Sequence, residues 1–491
     1  MPAPLDCDVL VVGGGPTGVT LGLLLARRGV KTLVIDKAPG IYPLPRAAHV
    51  DHEIMRIFQE LGVADEIAAT CRTSSRYDFL NAKGEILLRF EGLDRIGPGG
   101  WPASNMIHQP SVEAILRRAA ACQPDLEMRT QWNWASFSSE DGAVLSSIVT
   151  PEGARQIRSR FLVGADGARS PVRSAAGIEM DDLDFDEQWL VIDAVVQDPE
   201  RLPKVNLQIC DPERPTTCVL MGSGRHRWEF MLKPGESAEQ MLDDDLIAGL
   251  LDRWNVDGAV TLERKVVYRF NAWVAKTWRK GQVVLAGDAA HLTPPFAGQG
   301  LCAGLRDAAN LGWKLAAVVE GSREALLDTY QAEREAHVRP TIALAMMMGR
   351  TVCITDRAAA QARHEQMLAA RAAGSSPDGP PPNPPLGNGL VMAGSAGAGA
   401  YFPQFVGERG QRLDDALGSG GWLIAKSQPI HAAAARGLQS VALDHPRLRP
   451  FKAALEAWLA ERGAEAVLVR PNRYVFGTGR HDVLARAWRE A

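Results

Sequence analysis

No CxxC pair occurs in this chain of 491 residues, and its seven cysteines (7, 71, 122, 210, 218, 302 and 353) are scattered. That spacing argues against a zinc knuckle or a disulfide scaffold and suits a reducing cytoplasm. No metal site is expected. Formal net charge is only -4, which gives no support to a nucleic-acid or anionic-membrane partner. A membrane span needs roughly 20 consecutive apolar residues. Residues 9–26 fall short, because glycine, proline and threonine interrupt them ahead of Arg27 and Arg28. No basic region precedes that stretch, so a signal peptide is not expected either. What remains is an ordinary globular composition, 46% hydrophobic and 23% charged, long enough for two or three domains.

Two glycine-rich turns stand out. Val9 to Val12 reads as a short buried strand, followed by GGGPTG at 13–18 and a helix to about Arg28. Lys31 to Asp36 is a second apolar strand, completing a βαβ opening. Gly13, Gly15 and Gly18 form GxGxxG: the first permits a sharp turn, the second lets a pyrophosphate approach, the third brings helix and strand together. Pro16 opens the helix. Asp36 can accept from ribose hydroxyls, with Lys37 beside it. The second turn lies in GQVVLAGDAAHLTPPFAGQGLCAGLRDAANLG at 281–312. Here an apolar strand ends at Gly287 and Asp288 and a helix begins near Leu301. The N–H groups of Gly300, Leu301 and Cys302 can stabilise negative charge, while Pro295 and Gly298 shape the turn. Signals so far apart favour a long cofactor held by several segments.

Residues 51–69 look helical, with Ile54, Ile57, Phe58 and Leu61 on one stripe, and Ser111 is placed to cap another helix. Arg46 lies in a loop facing either pyrophosphate or ring edge, and Gln109 offers an amide ahead of Pro110. Asp166 and Arg169 follow a strand at Phe161 to Val163; they read equally as an ion pair or as part of the cofactor and reductant site. Residues 125–160 alternate like a strand meander, and 189–270 is mostly strand with a helical interlude near 237–253. Helices are expected at 301–320 and 323–365. The fold class is therefore α/β. A Rossmann-like domain (1–180 and 270–370, discontinuous, carrying part of the second sheet) is interleaved with a mainly β substrate domain (181–269). A glycine- and proline-rich linker or wrapping arm (371–400) leads to a small α/β domain (401–491). That domain has no CxxC, so a thioredoxin-like shape would carry no thiol chemistry.

GGGPTG at 13–18, GADGARSPVR at 164–173 and GDAAHLTPPFAGQGLCAGLRD at 287–307 together resemble the class A, single-component flavoprotein aromatic hydroxylases. PRAAHVDHEIMRIFQELG at 45–62 and the extra C-terminal region draw the chain toward the 3-(3-hydroxyphenyl)propionate and phenol hydroxylase branch. The resemblance implies FAD, transient reduction by NADH or NADPH without a separate nicotinamide domain, and transfer of oxygen to a phenolic ring through a C4a-hydroperoxyflavin. It implies that Gly13, Gly15, Gly18, Asp36, Arg46, Gln109, Asp288, Pro295, Gly298 and Gly300 hold FAD, and that Arg169 belongs to a segment serving both FAD and reductant. Asp36 stands where glutamate is common, Cys302 where methionine or asparagine is usual, and Gln299 where some relatives carry lysine.

Because the flavin carries the difficult step, few charged catalysts are needed: the protein must hold the phenol, ease loss of its proton and exclude water. Candidates for the pocket base are His49, Asp51 and His291. Pro295 sits beside the ring. Trp189, His226, Trp228, Tyr268 and Phe270 are candidate walls, though aromatics alternating along a strand often belong to the core. Arg225 and Arg227 are the cations available for a substrate carboxylate. The expected function is hydroxylation ortho to an existing hydroxyl, with 3-(3-hydroxyphenyl)propionate or a related phenol and O2 as small-molecule partners. A polycyclic, polyketide-like aromatic and a non-catalytic FAD redox sensor are the alternatives. Either a monomer or a homodimer is compatible, since the apolar pattern at 301–320 suits a dimer face or internal packing alike.

Overall fold

A computed structural model describes residues 4–375, 383–427 and 437–490. The strand Cys7–Val12 is the centre of an eight-stranded sheet. It pairs in parallel with Thr32–Asp36 on one side and with Gly153–Gly164 on the other. Leu126–Thr130 and Val283–Leu285 extend the parallel set outward. The inner strands are buried and apolar where they pair in parallel, as a sheet covered on both faces requires, whereas the edge strand Leu126–Thr130 interposes exposed Glu127 and Arg129. The helices Pro16–Ala26 and Gly300–Val319 pack against each other beside it. The meander Asn133–Glu140, Ala143–Thr150 and Gly153–Gly164 is antiparallel and hangs from one parallel strand.

The second sheet also has eight strands. In order they are His291–Leu292, Val260–Ala275, Met180–Val196, Arg225–Met231, Thr216–Met221, Asn206–Ile209, Arg76–Leu80 and Ile86–Glu91. It draws strands from both sides of residues 181–269, so the chain crosses between the two sheets repeatedly. Arg76–Leu80 and Ile86–Glu91 escape a local reading because the strand that completes them, Asn206–Ile209, is far away in sequence.

Several expected elements shift. The stripe at 51–69 is two helices, His52–Glu60 and Ala64–Thr70, broken at Gly62. Ser111 is not a cap: the helix Gln109–Ala121 starts earlier, and the Ser111 hydroxyl bonds His108 Nδ1 instead. Residues 323–365 divide into Thr329–Val352, which carries Pro340 internally, and Arg357–Ala372. The apolar pattern at 301–320 serves internal packing, since Gly300–Val319 is buried along nearly its whole length.

Of the segment expected at 371–400, residues 376–382 lie outside the described residues, as do 428–436 within the C-terminal part. Residues 383–400 wrap tightly; a Cβ on Gly387 would lie 2.4 Å from the Ala336 Cβ. The additional α/β unit is a four-stranded sheet, ordered Leu438–Ala442, Gly421–Ala425, Ala466–Val469, Val475–Gly479. Helices Lys452–Glu461 and His481–Glu490 accompany it. No described helix is long and apolar enough to cross a membrane.

Candidate active site

One cavity of about 1450 Å³ runs from the carboxyl ends of the parallel strands to the face of the second sheet. Its Rossmann end is built by the first glycine turn. Gly13 has φ +111°, and a Cβ there would sit 2.2 Å from the Ala165 carbonyl oxygen. A Cβ on Gly18 would sit 1.9 Å from the Gly13 oxygen, so this glycine lets the helix touch the strand. Gly15 differs: it lines the cavity and a Cβ would meet nothing within 4 Å. Its bare backbone therefore offers a cradle for a ligand. The helix that follows, with Pro16 in its first turn, has no side-chain cap, and its positive end faces the same space.

Asp36 and Lys37 line the cavity at the end of the next strand. The Asp36 carboxylate accepts from the amides of Gly14 and Ala38, both at 2.8 Å, which fixes it beside the glycine turn. Arg46 lines the cavity from its loop, stacked over Tyr42. Gln109 also lines it, but its Oε1 accepts from the Ala47 and Arg46 amides and its Nε2 donates to Glu113. The amide thus holds the Arg46 loop in place.

At the other end of the same wall, Asp288, Pro295, Gly298, Gly300 and Leu301 surround the second turn. Asp288 is exposed to the cavity but deep within the fold, where desolvation pushes its carboxyl up. Gln299 gives no side-chain cap to Gly300–Val319, so this is a second uncapped helix start facing the cavity. Cys302 does not line the cavity: it is fully buried one residue deeper, where burial raises its thiol. Asp166 lines the cavity, but forms no ion pair with Arg169; its Oδ2 accepts from the Val172 amide at 3.1 Å. Arg169 is exposed and outside the cavity. Arg173 occupies the cationic position nearby, donating to the Ala289 and Ala168 carbonyls.

The three candidate bases separate. His49 lines the cavity, and its Nδ1 lies 3.0 Å from the Gly298 carbonyl. A carbonyl only accepts, so Nδ1 carries the proton and Nε2 is left as an acceptor. Desolvation lowers its pKa, favouring the neutral ring. Asp51 touches the cavity but is committed elsewhere: it caps the helix His52–Glu60 and pairs with Arg306. Burial alone would raise its carboxyl, yet Arg306 holds it below the usual range. His291 is 1% exposed and absent from the cavity; its Nε2 meets Asp307 at 2.6 Å. Asp307 in turn accepts from the Gly287 amide and from Arg334, so His291 braces the strand end.

None of the five aromatics expected as pocket walls lines the cavity. Strand alternation explains His226 and Trp228: both are fully buried and turn to the far face, where Trp228 packs under the helix Asp244–Asp252. Their neighbours Arg227 and Glu229 line the cavity. Trp189 and Phe270 form a second layer, each packed on Phe296, which does line it. Tyr268 is held by Arg264. The observed sheet wall is Tyr77, Asn206, Gln208, Thr217, Val219, Arg227 and Glu229, opposite Phe296, Leu344 and Met348. The period of two in Arg225–Met231 carried this signal, but which parity faced the cavity did not show locally. Arg225 is paired with Glu263, and Arg227 with Asp193.

A bare glycine cradle, two uncapped helix starts on one cavity and two carboxylates spaced along it fit a long dinucleotide with an anionic centre, as FAD is. A family model described as an FAD binding domain matches residues 6–345. The chain is 36% identical, over 96% of its length and 92% of the relative's, to the "Probable NADH-specific resorcinol 4-hydroxylase" of Rhodococcus jostii (strain RHA1). It is also 36% identical to the 3-(3-hydroxy-phenyl)propionate/3-hydroxycinnamic acid hydroxylase of Comamonas testosteroni, over 75% of this chain but only 62% of that longer protein. Aklavinone-11 hydroxylase, solved with FAD and aklavinone, superposes over 99% of both chains with a TM-score of 0.77; at 24% identity this is a likeness of fold. The chain belongs to the single-component, FAD-binding aromatic monooxygenases, and is related to their phenylpropionate and phenol hydroxylase branch.

Proposed function

We propose that this monooxygenase hydroxylates a monocyclic phenol ortho to an existing hydroxyl, the ring being of the kind that its relatives' names print: resorcinol or 3-(3-hydroxyphenyl)propionate. The observation that carries the reading is the cavity's second half, where a polar sheet wall faces the apolar Phe296, Leu344 and Met348 beside the turn at 295–301. A flat ring with polar edges suits such a slot. When bound, FAD supplies the reduction by NAD(P)H and the activation of O2 at its C4a carbon. The chain's own residues bind, orient and move a proton.

Gly15 and the start of the helix Pro16–Ala26 take the pyrophosphate, and Asp36 takes the adenosine ribose. Asp288 would hold the ribityl chain, and the amides of Gly300 and Leu301 would offer positive charge to the flavin. His49 accepts the phenolic proton at Nε2; its lowered pKa keeps that nitrogen available at neutral pH. Trp189, Phe270 and Phe185 buttress Phe296 from behind and help to keep the slot dry.

The test is to follow NADH and NADPH oxidation by the FAD-loaded enzyme with a panel of phenols and to identify products by mass. A phenol that raises oxidation and gains one oxygen ortho to its hydroxyl is the expected result. If only polycyclic aromatics yield product, the monocyclic reading is wrong.

A further inference from the structure

Glu229 is a carboxylate in the cavity wall whose ion pair within the fold is a long one, to Arg227. It is 7% exposed and lines the cavity, and among the described residues no group donates a hydrogen bond to its side chain. Its closest cation, Arg227 Nη1, stands 3.6 Å away. That arginine is already committed: Nε and Nη2 hold Asp193 at 2.6 and 3.1 Å, while Nη2 and Nη1 also donate to the Pro45 and Arg46 carbonyls. Glu229 therefore shares Arg227 with Asp193 and receives from it a long ion pair rather than a hydrogen bond. Leaving such an acceptor unfilled against a cavity is costly unless a ligand group fills it.

The surrounding row is polar and uncharged. Cross-strand pairing places Glu229 opposite Thr217, and Thr217 opposite Gln208. The Tyr77 and Thr217 hydroxyls both donate to Gln208 Oε1, at 3.0 and 2.9 Å. Those groups donate to one another, so Glu229 is the carboxylate of the row and its strongest acceptor. Among the described residues, the arginines of the strand Arg225–Met231 are both taken up in ion pairs and are not free for a substrate carboxylate. Arg225 is paired with Glu263, and Arg227 is paired as described. The lining cation Arg46 stands on the loop rather than on the sheet, over the Tyr42 ring.

We infer that Glu229 is the specificity-determining acceptor of the substrate slot: it takes a hydrogen bond from a ring hydroxyl and disfavours rings that carry a carboxylate. Resting on the proposed phenol hydroxylation, this narrows the substrate class to uncharged dihydroxybenzenes such as resorcinol. An anionic tail would meet the Glu229 carboxylate beside two strand arginines that are already paired, whereas a second hydroxyl supplies that carboxylate with a donor.

The experiment measures Kd for resorcinol and for 3-(3-hydroxyphenyl)propionate from the change in flavin absorbance of the FAD-loaded enzyme, with product analysis in parallel. The wild type should bind resorcinol at least about tenfold more tightly than the acid. Glu229→Gln should weaken resorcinol about tenfold and reduce the preference to a few-fold. Tighter binding of the acid by the wild type overturns the inference, as does a Gln variant whose Kd for each compound stays within about twofold of the wild-type value. If that variant does not hold FAD, the wild-type preference decides alone. If neither phenol is hydroxylated while another monocyclic phenol is, the inference falls and the broader function stands; if no monocyclic phenol reacts, both fall.

Discussion

At His49 the Gly298 carbonyl settles which nitrogen carries the proton, and burial settles the charge. Because its pKa lies below 6.5, the neutral base persists as pH falls and is lost only at more acidic values. The acid limb of kcat/KM should therefore lie below pH 6.5, and His49→Ala should slow product formation about 100-fold or more while FAD stays bound. An acid limb above 6.5, or an unaltered rate in the variant, removes His49 as the base. His291 should behave oppositely. Its Asp307 partner keeps Arg334 and the Gly287 amide, so His291→Ala should cost about 1–3 kcal/mol of stability and leave the acid limb in place. Asp288 accepts no hydrogen bond within the described chain. Asp288→Ala should thus weaken FAD about tenfold with little change in the melting temperature of the apoprotein, which separates a ligand contact from a brace.

The glycine turn separates two kinds of conservation of space at the level of the element. Gly18 has no room for a methyl group, so Gly18→Ala should damage the strand–helix junction itself and lower apoprotein stability by about 1–3 kcal/mol. Gly15 has room, so Gly15→Val should leave apoprotein stability nearly unchanged but lose FAD. A Gly15→Val protein that retains FAD at wild-type affinity contradicts the cradle. Both glycines were legible from GxGxxG because the motif reports local backbone need. The wall of the second sheet was not legible. In Arg225–Met231 every residue is buried or half-buried, so polarity did not mark the cavity face, and the conspicuous aromatics turned out to be core. Parity was decided by which face met the helix Asp244–Asp252 and which met the cavity.

Over the whole molecule, three buried charge clusters lock the C-terminal unit to the rest. Asp414 binds Arg56 and Arg473; Glu333 binds Arg470 and Lys314; Glu53 binds Arg306, Tyr474 and Asn383. Desolvation would raise the Asp414 and Glu333 carboxyls, but their cations hold both below the ordinary 3.8 and 4.5. Folded values below unfolded ones mean that this contribution is complete above about pH 4.5 and is lost as pH falls through the lowered values. Asp414→Ala should cost about 3–5 kcal/mol, because it strands two buried guanidinium groups, and should flatten the acid limb of the stability curve. Equal urea midpoints for variant and wild type would show that the cluster holds nothing. These partners are up to 421 residues apart, which is why no reading of 401–491 by itself revealed the lock.

The order of residues alone determined the βαβ opening, both glycine turns and the family, because each rests on backbone conformation and short-range spacing. Tertiary structure decided the rest: which of the candidate histidines meets the cavity, which side of the second sheet faces it, and how the last unit is held. Those depend on pairings between distant strands and on buried charges finding partners, and neither leaves a mark in a local window of sequence.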